Sequence, residues 1–136
     1  MKKIIASLCI LLVLAVAAKA QTSASAQEAS ERLAKKYSLN AVQTEKLIAI
    51  QERKIKNEAE FAAFKTSNYK LYRAKHQANI VGTEASFKRI LTGKEQLALY
   101  KTNEVELRKR RAAKAAELKR QAKTAEEIQD VLVEME

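Results

Sequence analysis

Apolar residues recur every three or four positions through most of this chain, a spacing typical of amphipathic α-helices. The clearest stripe occupies one face of a predicted helix and consists of Tyr69, Tyr72, His76, Ile80, Thr83, Phe87 and Ile90. An earlier stripe begins after Asn40 and a later one after Thr92. Three short polar residues, Thr66 to Asn68, interrupt the pattern and predict a turn before the clearest stripe. A further short helix is expected to end near Lys36.

A short motif marks the start of the first of these stripes. Leu39 is followed by Asn40 and, three residues later, by Gln43. Asn with Gln at this distance forms a capping box, in which each side chain binds the other residue's backbone N–H at the start of a helix. Leu39 stands where a hydrophobic staple would lie. Its staple partner would be polar, so we expect Leu39 to pack against another helix.

The same motif recurs 52 residues later. Leu91, Thr92 and Glu95 take the places of the leucine, the cap and the third helical residue. Gln96 follows immediately, so a register shifted by one residue is the alternative alignment. The repeat predicts that one type of helix start is used twice.

The C-terminal segment, residues 124–136, is expected to be an acidic helical tail. Thr124 and Glu127 form another predicted capping box. The amphipathic stretch that follows contains Ile128, Val131, Leu132 and Met135. Three fates are open for it: docking back on the chain, pairing with another subunit, or remaining loose.

Residues 1–20 resemble a secretory signal peptide. Lys2 and Lys3 precede an apolar run, and Ala18-Lys19-Ala20 fits a cleavage site that would leave Gln21 at the mature N-terminus. The alternative is a membrane anchor, but the run is shorter than the ~20 residues of a spanning helix. Cleavage also removes the chain's one cysteine, Cys9, and we expect the exported protein to have no stable membrane insertion.

The composition favours an all-α fold. The chain has no proline and two glycines, too few turn residues for a sheet of short strands. Its long helices and low aromatic content favour a thin helical layer that forms a homodimer. Residues 21–123 form the predicted helical domain.

The net charge is +10 and falls to about +7 when the predicted signal peptide is removed. The densest basic block consists of Arg108, Lys109, Arg110 and Arg111. Such a block is either a solvated helix face or a basic surface that attracts acidic partners. Export argues against nucleic acid as that partner.

Catalytic chemistry finds no support in the residues. The predicted mature chain contains one histidine, one aspartate and no cysteine, so no Ser-His-Asp or Cys-His set can be assembled. A zinc or copper site is disfavoured for the same reason. His76 lies on the apolar stripe, where a packed histidine is expected. We therefore expect no enzyme activity, no metal and no cofactor.

The two motif copies, in an exported, basic and helical chain of this size, resemble the Spy/CpxP family of periplasmic proteins. That family is marked by two Leu-Thr-x-x-Gln motifs, and here Asn40 replaces the first Thr and Glu95 the second Gln. The resemblance covers roughly residues 37–112. It implies four helices in a cradle-shaped homodimer.

The resemblance also implies a function in the envelope stress response. One branch of the family holds unfolded client proteins without ATP, and another branch docks on an envelope stress sensor. A holdase needs charge for capture and scattered apolar contacts for release. The candidate client-binding residues are the basic block and four aromatic residues, Phe61, Phe64, Tyr69 and Tyr72. The alternative for the aromatic residues is that they close the core at a helix turn, and we expect core burial for at least two of the four.

Two further classes of protein fit the composition. One is a trimeric, long-armed basic chaperone of the Skp/OmpH type, which mass in solution would distinguish. The other is an exported binder of anionic envelope polymer or lipid, whose affinity would fall steeply with salt.

Overall fold

The protein is all-helical. The computed structural model describes residues 24–135, of which 87% are helical and none lies in a β-strand. The predicted all-α class is thereby confirmed for this part of the chain. The predicted signal peptide lies outside the described residues.

Six helices occur within the described residues, where the sequence predicts about four and a helical tail. They are α1 (residues 24–37), α2 (Ala41–Phe61), α3 (Phe64–Ser67), α4 (Tyr69–Ile90), α5 (Lys94–Arg120) and α6 (Ala125–Val133). The additional helix is α3, a single turn at the predicted break in the pattern. Asn68 ends α3 and also begins α4, because its side chain accepts a hydrogen bond from the Leu71 N–H at 3.1 Å.

The helices divide into two compact units, with the boundary between Asn57 and Glu58. In the first unit the buried apolar residues are Ala26, Tyr37, Leu47 and Ile50. Ser30 is also fully buried, and its hydroxyl donates to the carbonyl of Ala26 at 2.7 Å. This bond satisfies the buried hydroxyl within its own helix.

The first predicted capping box is present. The Asn40 side chain accepts from the Gln43 N–H at 2.9 Å, and the Gln43 side chain accepts from the Asn40 N–H at 3.0 Å. Gln43 is buried, and its side-chain amide satisfies one of the backbone donors that have no partner within the helix. Just before the box, Ser38 takes a left-handed conformation with φ of 50° and closes the C-terminus of α1.

The prediction that Thr92 and Glu95 form the second capping box is wrong. The N-cap is Gly93, and the Gln96 side chain accepts from both the Gly93 N–H at 3.1 Å and the Thr92 N–H at 3.2 Å. The shifted register prevails because one carboxamide satisfies two donors that would otherwise have no helical partner. Glu95 remains in the first turn of α5, where its charge suits the helix dipole. Leu91 is buried, two residues before the cap.

The structural counterpart of the first helix start is the beginning of α6. Ala122 adopts φ of 58°, and the Lys123 N–H donates to the Leu118 carbonyl at 3.1 Å, as at the end of α1. Thr124 and Glu127 then form the predicted capping box, with bonds of 3.2 and 2.9 Å. A left-handed residue followed two positions later by a box thus occurs at residues 38–43 and at residues 122–127.

Within the second unit, α6 contacts both α4 and α5. Near the connection between the two long helices, the rings of Phe87 and Tyr100 lie 6.1 Å apart. Leu118 is the one buried residue of the 27 in α5. The long helix α5 thus buries little of its length, and the short α6 packs against it.

Candidate functional site

An aromatic row lies along the first two turns of α4. Tyr72 and His76 stack with their ring centres 5.6 Å apart and their planes 6° apart. Tyr69 stacks on Tyr72 at 6.0 Å. The spacing of three and four residues places all three rings on one face of the helix. Tyr69 remains 48% exposed, so the row opens to solvent at its N-terminal end.

Phe61, at the end of α2, packs against this row. Its ring meets Tyr72 edge-on at 5.8 Å and His76 at 6.2 Å, and it is only 5% exposed. Such edge contacts are favourable because the positive ring edge faces the negative ring face. Among the four candidate aromatic residues, Phe61 therefore belongs to the core, while Phe64 and Tyr72 are half-buried.

Two lysines lie over these rings. Lys65 Nζ is 5.8 Å from the centre of the Tyr72 ring, and Lys75 Nζ is 6.0 Å from the centre of the Phe64 ring. Both distances suit a cation–π contact, which contributes about 0.5–1 kcal/mol at an exposed site. The surface consequently combines aromatic faces with positive charge.

An acidic stripe on α6 lies against the cations of α4. Arg73 contacts Asp130 through Nε and lies 3.7 Å from a carboxylate oxygen of Glu126. The Tyr69 hydroxyl donates to the second Asp130 oxygen at 2.7 Å. Since Glu126, Asp130 and Glu134, the C-cap residue, are spaced four residues apart, they lie on one side of α6 and its C-terminal end.

The third acid of the stripe lies close to the buried imidazole. His76 Nε2 is 2.9 Å from a Glu134 oxygen, and the histidine side chain is 13% exposed. The two groups are in contact without the alignment of a hydrogen bond. Within the described residues, neither Nε2 nor Nδ1 of His76 has a hydrogen-bond partner. The contact is an ion pair only when the imidazole is protonated.

The basic block of α5 is not one continuous surface. Arg111 donates to the Met135 carbonyl at 2.8 Å, beyond the C-terminal end of α6, and its Nε has no hydrogen-bond partner among residues 24–135. A cation at this end of a helix is favoured by the helix dipole. Arg108 and Lys109 instead face solvent and pair with Glu104 and Glu106 at 3.9 and 3.0 Å. Arg110 is exposed.

Hydrophobic contact holds α6 from its other face. Ile128 is buried, Leu132 and Val133 are half-buried, and Val131 is 38% exposed. An open groove remains between α4 and α6, with Tyr72 and His76 on one side and Val133 on the other. Of the three fates predicted for this segment, docking back on the chain is the one observed.

Two pKa values reflect the contacts of α6. The hydrogen bond to Asp130 raises the pKa of Tyr69 above its usual 10.0, because the neutral phenol is the donor. The backbone N–H of Thr124, followed by Lys123, lowers the pKa of Glu127, because both favour the carboxylate. The ionised cap and the neutral phenol are thus the states that the docked helix stabilises.

The pairing of Arg73 with the tail is not among the features that the sequence predicts. Its signal was the four-residue spacing of Glu126, Asp130 and Glu134, which marks one charged face of a helix. The location of the matching cations cannot be read from that spacing, since they lie more than 50 residues earlier.

No three His, Cys, Asp or Glu side chains within the described part of the chain are grouped to hold a metal ion. Between residues 24 and 135, no helix has the length and apolar character needed to cross a bilayer. Comparison with known protein families, with characterised proteins and with solved structures finds no match.

Proposed function

We propose that this protein is a periplasmic, ATP-independent holdase that binds unfolded envelope proteins. The observation that supports this most is the surface at the start of α4. Stacked, half-buried rings lie beside Lys65, Arg73 and Lys75, with Tyr69 open to solvent. We refer to this surface, Tyr69 to His76 with the Lys65 and Phe64 side chains, as the aromatic–basic surface.

Capture and release follow from the balance of its interactions. Positive charge accelerates the encounter with acidic clients over about one Debye length, roughly 8–10 Å at physiological salt. A small number of ring contacts then holds an exposed apolar segment without burying it deeply. Because each contact is weak, the client leaves without nucleotide hydrolysis.

The proposal includes a homodimer with a cradle-shaped surface, as the family resemblance implies. The long helix α5 supports the idea, because a 27-residue helix with one buried residue leaves apolar groups for a partner. Leu99 and Val105 are among its exposed apolar residues. Sedimentation equilibrium of the chain from Gln21 onward would distinguish a dimer from a monomer or a trimer.

The test of the function is light scattering from a denatured client diluted into buffer without nucleotide. The chain from Gln21 should suppress scattering near stoichiometric amounts and later release active client. Replacing Tyr69→Ser should weaken suppression several-fold. Val81→Ser is the matched control, since Val81 is 57% exposed on the same helix but outside the aromatic–basic surface. Failure to protect any of several unrelated clients would contradict the holdase proposal.

A regulator that docks on an acidic envelope stress sensor is the second candidate. One observation favours it: the partner of Arg73 is a folded acidic helix rather than an extended segment. A regulator of this kind would capture one folded envelope protein and leave unfolded clients unprotected. A pull-down with wild-type protein and Arg73→Glu in parallel separates the regulator from the holdase. A regulator should capture one folded envelope protein, and the Arg73→Glu variant should no longer capture it.

A further inference from the structure

The acidic helix α6 occupies part of the aromatic–basic surface. It contacts Tyr69, Arg73 and His76, which are three of the residues that the holdase proposal assigns to clients. We propose that α6 is a built-in competitor for this surface. The surface then selects client segments that resemble α6, with acidic groups four residues apart beside an apolar stripe. This inference rests on the proposed function.

The contacts of α6 are specific in register. Asp130 meets both Arg73 and Tyr69, Glu126 meets Arg73, and Glu134 meets His76. Moving the central acid by one position would rotate it by about 100° around the helix, away from Arg73. A ligand of the same composition but a different register should therefore bind poorly.

The same contacts show that α6 is an imperfect ligand. Neither ring nitrogen of His76 has an aligned hydrogen bond, and Arg111 Nε has none, within residues 24–135. A buried donor without a partner is costly, so a segment that satisfies these atoms would bind better than α6. The helix itself has nine residues and one buried side chain, Ile128. A helix shorter than about 12 residues is marginal in water without its packing.

The connection between α5 and α6 permits opening. Residues 121–124 are exposed, and Ala122 is held in the left-handed region without being glycine. A short tether of this kind keeps the local concentration of α6 in the millimolar range. A free segment must compete with that concentration, and an intact chain should therefore bind it weakly.

The experiment measures binding of a labelled peptide of residues 124–135 by fluorescence anisotropy. The receptor is the chain from Gln21, either wild-type or Ile128→Asp, which releases α6. If the docked population is about 90%, the opened variant should bind the peptide about ten-fold more tightly. A second opened variant, Gln129→Asp with Asp130→Gln, keeps the composition and the apolar side chains. This second variant is used as the receptor if circular dichroism shows that the Ile128→Asp variant does not fold.

A peptide with the same exchange of residues 129 and 130 is the matched control, and it should bind the opened variants at least ten-fold more weakly. Adding Arg73→Gln to an opened variant should abolish binding of the original peptide. Equal affinity of wild-type and opened receptors would overturn the inference, as would absence of binding to both opened variants. Equal affinity of the two peptides would also overturn it.

Client protection is measured on the same receptors to separate the two proposals. If the opened receptors bind the peptide as expected but no receptor protects clients, the holdase proposal fails and the inference that α6 occupies a selective site stands. If clients are protected equally by wild-type and opened receptors and the peptide does not bind, the inference fails and the holdase proposal stands.

Discussion

The two basic regions of this protein, at the start of α4 and in the middle of α5, engage their acids in different ways. Arg73 is 24% exposed as a side chain and meets acids more than 50 residues away on α6. Arg108 is 77% exposed and lies 3.9 Å from an acid four residues away on its own helix. Charge density along the sequence therefore does not indicate which cations hold the tertiary structure. The densest basic block contributes Arg111, at one end of α6, while the partners of Glu126, Asp130 and Glu134 are isolated residues of α4.

Of the variants that test how α6 is held, Ile128→Ala should have the largest effect on the docking of this helix. Removing a buried isoleucine side chain typically costs 2–5 kcal/mol, and we expect about 2 kcal/mol here because α6 packs on one face. Trypsin cleavage after Lys119, Arg120 or Lys123 should then accelerate by up to about ten-fold, because a docked population of about 90% leaves about 10% of the wild-type protein open. Val131→Ala is the control, and its effect should be smaller, because Val131 is 38% exposed whereas Ile128 is 8% exposed. Equal cleavage rates in the two variants would contradict the docked position of α6.

A direct test of the comparison replaces one arginine from each region. Arg73→Ala should lower the free energy of unfolding by about 1–2 kcal/mol, because it removes charged hydrogen bonds at a partly buried site. Arg108→Ala should change it by no more than about 0.5 kcal/mol, the range of an exposed pair within one helix. Urea unfolding of both variants measures the difference. The interpretation fails if the two losses are the same.

A smaller change in stability is expected at the connection between α5 and α6. Ala122→Gly should raise the free energy of unfolding by about 0.5 kcal/mol, because glycine adopts a positive φ without the alanine Cβ penalty but costs more entropy on folding. Ser38→Gly makes the same change at the matching position of the first unit. Tryptic cleavage at the α5–α6 connection should slow for Ala122→Gly alone. If Ser38→Gly slows it equally, the effect is not local to α6.

The smallest expected effect is on the ionisation of Tyr69 and its contribution to stability at alkaline pH. Because the pKa of Tyr69 is raised in the folded protein, its contribution to stability is fully present below the usual 10.0 and is lost as pH rises through the folded value. Replacing Asp130→Asn removes the main cause, so Tyr69 should ionise at lower pH in that variant. Absorbance at 295 nm across the alkaline range records this shift. Identical titration curves for wild-type and variant would show that the Tyr69–Asp130 bond does not persist in solution.

Several features of the fold are predictable from local sequence. The capping boxes at Asn40 and Thr124 form because each pair of side chains lies within three residues, so no distant contact is needed. The cap at Asn68 is of the same kind. The second motif copy departs from prediction because Gln96 reaches two backbone donors, a choice between adjacent registers that composition does not decide.

The candidate site was only partly predictable. The aromatic row at Tyr69 and Tyr72 follows from helical spacing, but whether a ring is buried depends on what lies beneath it. Phe61 is covered because its ring meets Tyr72 and His76 across a break of several residues. Likewise, the local sequence offers Arg108 an acid four residues earlier, Glu104, but nothing local to Arg111 indicates that it reaches the Met135 carbonyl.

Local sequence is enough to predict the helical class, the stripes on each helix and most of the helix starts. These depend on side chains within about four residues of each other, where the backbone geometry is set by the helix itself. The docking of the acidic tail on α4 and α5, with Arg73, His76 and Arg111 as its partners, is visible only in the folded protein. Long-range pairing depends on how rigid helices are brought together through their connections, and a charge pattern on one helix is compatible with many cations elsewhere.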